Sequence, residues 1–562
     1  MEKLTGAQAV IQVLLTEEIT TVFGYPGGAI MPIYDALFDY SDEIHHILVR
    51  HEQGAIHAAQ GYARVTGRTG VVMATSGPGA TNLITGLADA MIDSTPLVCI
   101  TGQVSSKLLG TDAFQETDVI GISMPVTKWN CQITRTEDIP SIMAKAFYIA
   151  RSGRPGPVLI DITKDAQFGV SDFSFEKCTH IRSYNPTPEI DYSSLEAAAE
   201  LINQAKKPMM VIGQGIMLSE AEEALRTFAD KSGIPVASTL LGLGAFPCNH
   251  PLFVGFVGMH GDYAPNIKTN ECDLLIGIGM RFDDRVTGDT SRYATQATII
   301  HIDIDASELN KIIPTDVPVH ADAREALLFL THLVKERSHE SWVNEFKEAK
   351  QTEVETLSKG YANCDTQDVR MDEVIKLLSN LTHGESIIVT DVGQHQMMAA
   401  RYYQYNKTKS NVTSGGLGTM GFALPAAIGA KLGMPDKDVI AIIGDGGFQM
   451  TLQELGTILQ SKIPVKIVIL NNNFLGMVRQ WQEMFFERRY SFTEMISPDY
   501  VKLAESYGIQ AKSIASKTDL EDGLREMLDA KEAYLLEVKV VKEENVFPMV
   551  PTGASVSEIR LA

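Results

Sequence analysis

Two polar clusters, each closing an apolar run, hold the residues of this chain best suited to chemistry. The first is Gly444-Asp445-Gly446-Gly447, directly after Val439-Ile440-Ala441-Ile442-Ile443; the second is Asn471-Asn472-Asn473, after the β-rich run Val465 to Leu470. Between them Phe448, Leu452, Leu455 and Leu459 recur at helical spacing until Pro464 breaks the pattern. The whole reads as a βαβ unit of a buried parallel sheet. Both clusters then fall at the carboxyl ends of strands, where open α/β sheets bind ligands. The glycines let backbone amides approach a diphosphate at a helix amino terminus. Asp445 and an Asn472 carbonyl oxygen 27 positions later can both reach one Mg²⁺, a hard ion that takes oxygen ligands and phosphates. A bare Gly-Asp-Gly is usually only a tight turn; the pairing of two such strand ends is what points to a metal-bound diphosphate.

Other candidates carry less weight one at a time. Glu52, between His51 and Gln53 at the head of a small-residue helix (Ala55 to Val65), reads alone as a cap or a solvated carboxylate. Val211-Ile212-Gly213-Gln214-Gly215 is a phosphate-type turn after a strand, and Ile300-His301-Ile302-Asp303 ends a strand on an acid that could meet a ribose. Arg285 beside Asp283 and Asp284 could be a surface ion pair or a bidentate site for a carboxylate. Trp481, after Gly476-Met477-Val478, could pack a core or wall a pocket.

The elements that must position these residues form three α/β segments in a chain of 562 residues. Residues 1–168 alternate strands and helices: an amphipathic helix from Leu4 to Leu15, a strand from Val22 into the turn Tyr25-Pro26-Gly27-Gly28, a strand Val71 to Thr75 meeting Ser76-Gly77-Pro78-Gly79, and a strand Leu97 to Thr101. A polar linker (169–192) precedes a second segment (193–335) with strands at Met209 to Ile212, Leu274 to Ile278 and Ile299 to Ile302. A charged, helix-prone linker (336–366) leads to the third segment (367–543), and an irregular tail (544–562) is a candidate lid. The first and third segments share landmarks. An Ala-Ala-x-Gly helix ends at Gly61 and at Gly429; 16 and 15 positions later come the turn glycines Gly77 and Gly444, and 19 and 20 after those Pro96 and Pro464. Three landmarks in register indicate two related doubly wound domains, of which the second keeps the acidic metal site.

Composition narrows the function classes. A net charge of −22 disfavours nucleic acid and anionic membranes as partners. The six cysteines (Cys99, Cys131, Cys178, Cys248, Cys272, Cys364) include no CxxC pair, which argues against zinc and disulfides and fits a reducing cytoplasm. The start at Met1-Glu2-Lys3 lacks a basic region before an apolar core, and no apolar run reaches ~18 residues, so neither export nor membrane insertion is expected. No GxxxxGK[ST] run supports a nucleotide-dependent phosphoryl transferase.

The Gly-Asp-Gly…Asn-Asn pair resembles the thiamine diphosphate motif. Beyond it, Arg50-His51-Glu52-Gln53, Thr75-Ser76-Gly77-Pro78-Gly79, Asp112-Ala113-Phe114-Gln115-Glu116, Arg281-Phe282-Asp283-Asp284-Arg285 and Gly476-Met477-Val478-Arg479-Gln480-Trp481 make nearly the whole chain similar to the acetohydroxyacid synthase (acetolactate synthase) large catalytic subunits. The last two motifs are the specific ones. This resemblance implies three doubly wound domains and the use of thiamine diphosphate, Mg²⁺ and a non-redox FAD. The implied reaction decarboxylates pyruvate and ligates its two-carbon unit to a second pyruvate or to 2-ketobutyrate, the first common step of branched-chain amino acid biosynthesis.

It also implies roles. Glu52 would activate the aminopyrimidine ring, and Gly28, Phe114, Gln115 and Lys164 would line the reaction centre. Asp445, Asn472 and the backbone carbonyl of Phe474 would hold the metal. Val392, Gly393, Gln394, His395, Gly418, Gly444, Gly446, Gly447, Gly476, Met477 and Val478 would bind thiamine diphosphate, with Met420 propping its bent shape. Arg285, Trp481 and Met259 would contact substrate. Arg154, Gly213, Gln214, Gly215, Thr239, Leu240, Met259, His260, Gly279, Arg281, Asp283, Asp303 and Asp322 would bind FAD. A homodimer or dimer of dimers, a small regulatory subunit and a cytoplasmic location are expected with it. The rivals are a pyruvate oxidase or catabolic acetolactate synthase of the same superfamily, against which Trp481 and the Arg281–Arg285 run argue, and a silent cofactor-binding protein, against which Glu52, Asp445 and Asn472 argue together.

Overall fold

Strands without polar alternation are stable only when both faces are covered, which parallel sheets with helical crossovers provide. The computed structural model, which describes residues 3–361 and 367–562, holds three such sheets of six strands each, all parallel. Alternate residues of one strand enter different cores: Ile440 and Ile442 lie in one apolar cluster, Val439, Ala441 and Ile443 in another on the opposite face. The same holds for Met209 and Val211 against Met210 and Ile212 in the middle sheet.

Strand order supports the internal duplication. Counted along the chain, the first and third sheets both run second, first, third, fourth, sixth, fifth. The middle sheet runs third, second, first, fourth, fifth, sixth, the order of dinucleotide-binding folds. The two Ala-Ala-x-Gly helices, Glu52–Thr66 and Ala423–Gly433, cross each other. At the crossing Gly61 lies on the backbone of Ala426 and Gly429 on that of Ala58, each too close for a β-carbon.

Four segments differ from the expectations. The first helix spans Gly6–Thr16; Leu4 belongs to a short strand, Lys3–Thr5, paired antiparallel with Val170–Asp172. Part of the interval expected as a linker is therefore structured. The helix expected through Phe448 and Leu459 is broken into Asp445–Thr451, a 3₁₀ turn Leu452–Glu454 and Leu455–Ser461, because Glu454 turns to accept hydrogen bonds from Arg50 N and Thr457 Oγ1. The charged interval from 336 is a helix, Glu340–Tyr361, anchored by Trp342 and Phe346 in the middle-domain core; its last residues 362–366, with Cys364, lie outside the described residues, as do Met1 and Glu2. The tail is not loose: Val546, Met549, Val550 and Val556 are buried, and Val550 N donates to Met259 O. Among the described residues no helix is long and apolar enough to cross a membrane.

Candidate active site

In the third sheet the strand order reverses between Ile387–Thr390 and Val439–Gly444, which opens a crevice at their carboxyl ends. Asp391, fully buried, follows the first strand and accepts hydrogen bonds from the amides of Val392, Gly421 and Ala423 at 2.9, 3.0 and 3.0 Å. It fixes two turns at once. Asp445 follows the second strand. Its carboxylate accepts from Ser497 Oγ at 3.2 Å, and its carbonyl accepts from Tyr500 Oη and Gln449 Nε2, both at 3.1 Å. Burial pushes the Asp445 carboxyl up to about 6. Asn472 offers Oδ1, which accepts from Phe474 N at 3.1 Å, while its Nδ2 donates to Gln394 Oε1 at 3.3 Å. Asn473 takes a left-handed turn (φ 54°) that leads into Phe474.

The chemistry of this donor set suits a hard divalent cation. Asp445, Asn472 and the Phe474 carbonyl supply only oxygen, and the buried carboxylate has no Lys or Arg among its hydrogen-bond partners. Among the described residues no group of three or more His, Cys, Asp and Glu that could hold a metal occurs. His395 lies alongside, its ring pressed on the turn glycines: a β-carbon on Gly393 or Gly444 would sit 3.0 or 2.9 Å from it. Burial lowers its pKa to about 3, so the ring is neutral, and Nε2 is buried without a protein partner. Gln394 has structural duties besides the role expected of it. Its amide donates to Gln480 Oε1 (3.0 Å) and Glu544 O (2.7 Å), so the side chain orients Asn472 and anchors the tail.

A cavity of about 810 Å³ runs from the middle domain to the third. Arg154, Gly213, Gln214, Gly215, Thr239, Leu240, Met259, His260, Gly279, Arg281, Asp283, Asp303 and Asp322 all line it. Gly213 and Gly215 close on the backbone of Gly279 at the point where the middle sheet reverses order, a cradle that a β-carbon would fill. Asp303 ends its strand there, pushed up to about 7 by burial. A dinucleotide fits these features. Several of the thirteen also have structural duties. Arg154 ties the first domain to Asp305 (3.1 Å) and Glu308 (2.8 Å); Asp283 and Asp322 cap the helices Asp284–Thr287 and Ala323–Leu333. At the opposite wall stand Val392, Gly393, Gly418, Met420, Met477, Val478 and Trp481. Arg285 projects between the two, its side chain 61% exposed and its nearest carboxylate, Asp284, 3.8 Å away. Its Nη1 also lies 3.4 Å from Met259 Sδ, so the guanidinium has only weak partners of its own.

Comparison with known proteins identifies the architecture. Three family models match: the thiamine pyrophosphate enzyme N-terminal TPP binding domain over residues 4–122, the central domain over 195–330 and the C-terminal TPP binding domain over 391–538. The acetolactate synthase large subunit of Lactococcus lactis is 46% identical, covering 100% of this chain and 96% of the relative. The isozyme 2 large subunit of Escherichia coli is 45% identical over 99% of both. A probable acetolactate synthase large subunit of Methanocaldococcus jannaschii is 44% identical over 99% of this chain and 95% of the relative. The chain belongs to the acetolactate synthase large-subunit family.

Within this acetolactate synthase architecture the first-domain candidates other than Arg154 stand apart. Glu52, Gly28, Phe114, Gln115 and Lys164 do not line the cavity. Glu52 begins its helix, buried, with its carboxylate held by Asn82 Nδ2 at 2.9 Å and Gly79 beside it. Phe114 is 87% exposed, a large apolar side chain facing away from any core of its own chain. Gln115 has φ 59° and crowds Gly77. This half of the constellation thus opens on the surface of the chain. Asp391, Ser497 and Tyr500 went unread in the sequence. Asp391 carried a usable signal, an acid ending the apolar run Ile387–Thr390; Ser497 and Tyr500 carried none, since only the fold returns them to Asp445.

Proposed function

We propose that this chain is the catalytic subunit of an acetohydroxyacid synthase, built on domains 1–168, 193–335 and 367–543, that decarboxylates pyruvate and joins the two-carbon unit to pyruvate or 2-ketobutyrate. One observation carries the reading beyond family membership: a single cavity unites the dinucleotide-type cradle of the middle sheet, Arg285, Trp481 and the third-domain wall around Met420. Thiamine diphosphate, when bound, supplies an electron sink for the charge left as CO₂ departs. Asp445, Asn472 and the Phe474 carbonyl would hold Mg²⁺, and Gly393, Gly444 and Gly446 would leave room for the diphosphate. Neutral His395 can accept or donate there without adding charge. Glu52, held by Asn82, would share a proton with the pyrimidine ring.

Arg285 binds the carboxylate of the second ketoacid, and Trp481 walls the pocket that favours an ethyl over a methyl group, a preference on the scale of ~1–3 kcal/mol per methylene. The tail, packed on Gln480 and Met259, helps to keep water out. FAD fits the middle-domain cradle and has no redox task in the net reaction. Because Glu52 does not line its own chain's cavity, a second copy of the chain supplies it, so the working unit is at least a homodimer. The family's large-subunit names support a small regulatory partner and, with no membrane-crossing helix among the described residues, a cytoplasmic location. The test offers pyruvate and 2-ketobutyrate together with thiamine diphosphate, Mg²⁺ and FAD. Both acetohydroxyacids are expected; acetaldehyde alone, or flavin reduced at the rate of pyruvate consumption, would overturn the proposal.

A further inference from the structure

Two buried carboxylates of the first domain grip a loop of the third. Asp93 Oδ2 and Oδ1 accept the amides of Gly415 (2.9 Å) and Gly416 (2.8 Å), and Asp93 is paired with Arg64 Nη2 at 2.8 Å. Asp89 Oδ1 accepts from the hydroxyls of Ser414 and Thr419, the second at 3.1 Å, and Ser414 Oγ in turn accepts Thr419 N at 2.8 Å. Arg64 also donates to Thr413 O, where the strand Asn411–Thr413 ends. Both aspartates are essentially unexposed, and the residues they hold belong to different sequence halves, more than 300 positions away. Such carboxylates are costly to bury unless they are paired or hydrogen-bonded, as these are. The loop they hold runs from Ser414 to Met420 and forms the cavity wall opposite the flavin-type cradle.

Its own composition explains the need. Gly415, Gly416 and Gly418 leave the loop backbone little intrinsic preference, and Gly418 sits at φ 70°. Without external acceptors its amides would order at an entropic cost each time a ligand bound. The first domain supplies those acceptors in advance. The grip also extends along the Glu52–Thr66 helix. Arg64 Nη2 reaches Gln60 Oε1 (3.5 Å), and Gln60 Nε2 bonds Gly86 O (3.3 Å) and His57 Nδ1 (3.2 Å). Burial lowers the His57 pKa to about 3, so the ring is neutral and its Nδ1 accepts from Gln60, while its Nε2 lies 3.4 Å from the side-chain amide nitrogen of Gln53, next to Glu52.

We infer that Asp93, Asp89 and Arg64 are positioning residues for thiamine diphosphate, preorganising the Ser414–Met420 loop from the neighbouring domain. The inference rests on the proposed function, so its test reads cofactor binding directly. Thiamine diphosphate with Mg²⁺ is titrated calorimetrically onto the cofactor-free full-length protein and onto Asp93→Asn, Ser414→Ala and Glu17→Gln. Glu17 is a buried first-domain carboxylate paired with Arg151 at 2.9 Å, far in sequence from the loop, and controls for general destabilisation. Loss of one or two charge-assisted hydrogen bonds should weaken binding roughly 10- to 100-fold in Asp93→Asn and Ser414→Ala. At saturating cofactor kcat should fall only about two- to threefold, because the loop is then ordered by the ligand. Glu17→Gln should lower the melting temperature with cofactor affinity within about twofold of wild type. Binding in Ser414→Ala, the variant least at risk of misfolding, within twofold of wild type would overturn the inference, as would an equal loss in Glu17→Gln. If the unmodified protein binds thiamine diphosphate but forms no acetohydroxyacid, the functional proposal fails while this one stands.

Discussion

Asp445 illustrates how a proposed metal ligand works against the fold that holds it. Burial lifts its carboxyl from 3.8 to about 6. Between those values the folded chain binds more protons than the unfolded one, so the metal-free protein loses stability as pH rises from about 4 to 6. Above that window the deficit is constant, on the order of 3 kcal/mol at ~1.4 kcal/mol per unit. Asp445→Asn removes the buried charge. At pH 7.5 without metal the variant should therefore unfold at higher denaturant concentration than wild type, by up to about 3 kcal/mol, while losing Mg²⁺-dependent cofactor binding. Urea titrations of both cofactor-free proteins decide it, and a less stable Asn variant would show that the carboxylate is satisfied by the protein alone. This residue was legible in the sequence because strand, glycine and acid are contiguous there. Ser497 and Tyr500, which hold it, were not, because hydroxyls some fifty residues on carry no local pattern (52 and 55 positions away).

At the scale of elements, what was legible followed periodicity and what was not followed specific polar contacts. The central strands are unbroken apolar runs, and their positions in Met209 to Ile212, Leu274 to Ile278 and Val439 to Ile443 could be read directly. The Glu340–Tyr361 helix hides Trp342 and Phe346 among charges, and the tail is held by Arg479 and Gln480 donating to the carbonyls of Glu544 and Val546, contacts without a sequence period. Two variants probe this scale. In an open helix Gly→Ala would stabilise by roughly 0.5–1 kcal/mol; at Gly61 the new methyl meets the backbone of Ala426, which cannot rotate away. Gly61→Ala should instead destabilise by about 1–3 kcal/mol or separate the domains, and a raised melting temperature would show that the helix crossing is loose. At the tail's root, burial pushes Glu544 up to about 7 from 4.5. The sign is again that of a raised carboxylate: stability declines as pH climbs from about 4.5 to 7. Glu544→Gln keeps an acceptor for Met371 N and should flatten that decline, so wild type and variant melt together near pH 4.5 and diverge by up to about 3 kcal/mol at pH 8. Parallel melting profiles across that range would mean that Arg370 already neutralises the group.

For the whole molecule, the duplication puts equivalent machinery in two places that one chain does not join. The first sheet presents Glu52 at the carboxyl edge that the third sheet uses for Asp445, yet of the first-domain candidates only Arg154, and not Glu52, lines the cavity. Exposed Phe114, beside the Glu52 edge, and exposed Phe492 and Ile496, beside Ser497, are large apolar surfaces of the kind that a second copy covers. This separation was not legible in the sequence, because the repeat landmarks fix topology and say nothing of which copy of the chain completes which site. Subunit complementation tests it. Glu52→Gln and Asp445→Asn chains should each be nearly inactive alone. If every site takes Glu52 from one chain and Asp445 from the other, dissociating and reassociating an equal mixture makes about half of the dimers hybrids. Each hybrid carries one site with both defects and one with neither. Acetohydroxyacid formation should then recover to about a quarter of the wild-type rate per chain, with saturating cofactor. Sites built within single chains would yield no recovery at any mixing ratio, because every site would still lack one of its two essential groups.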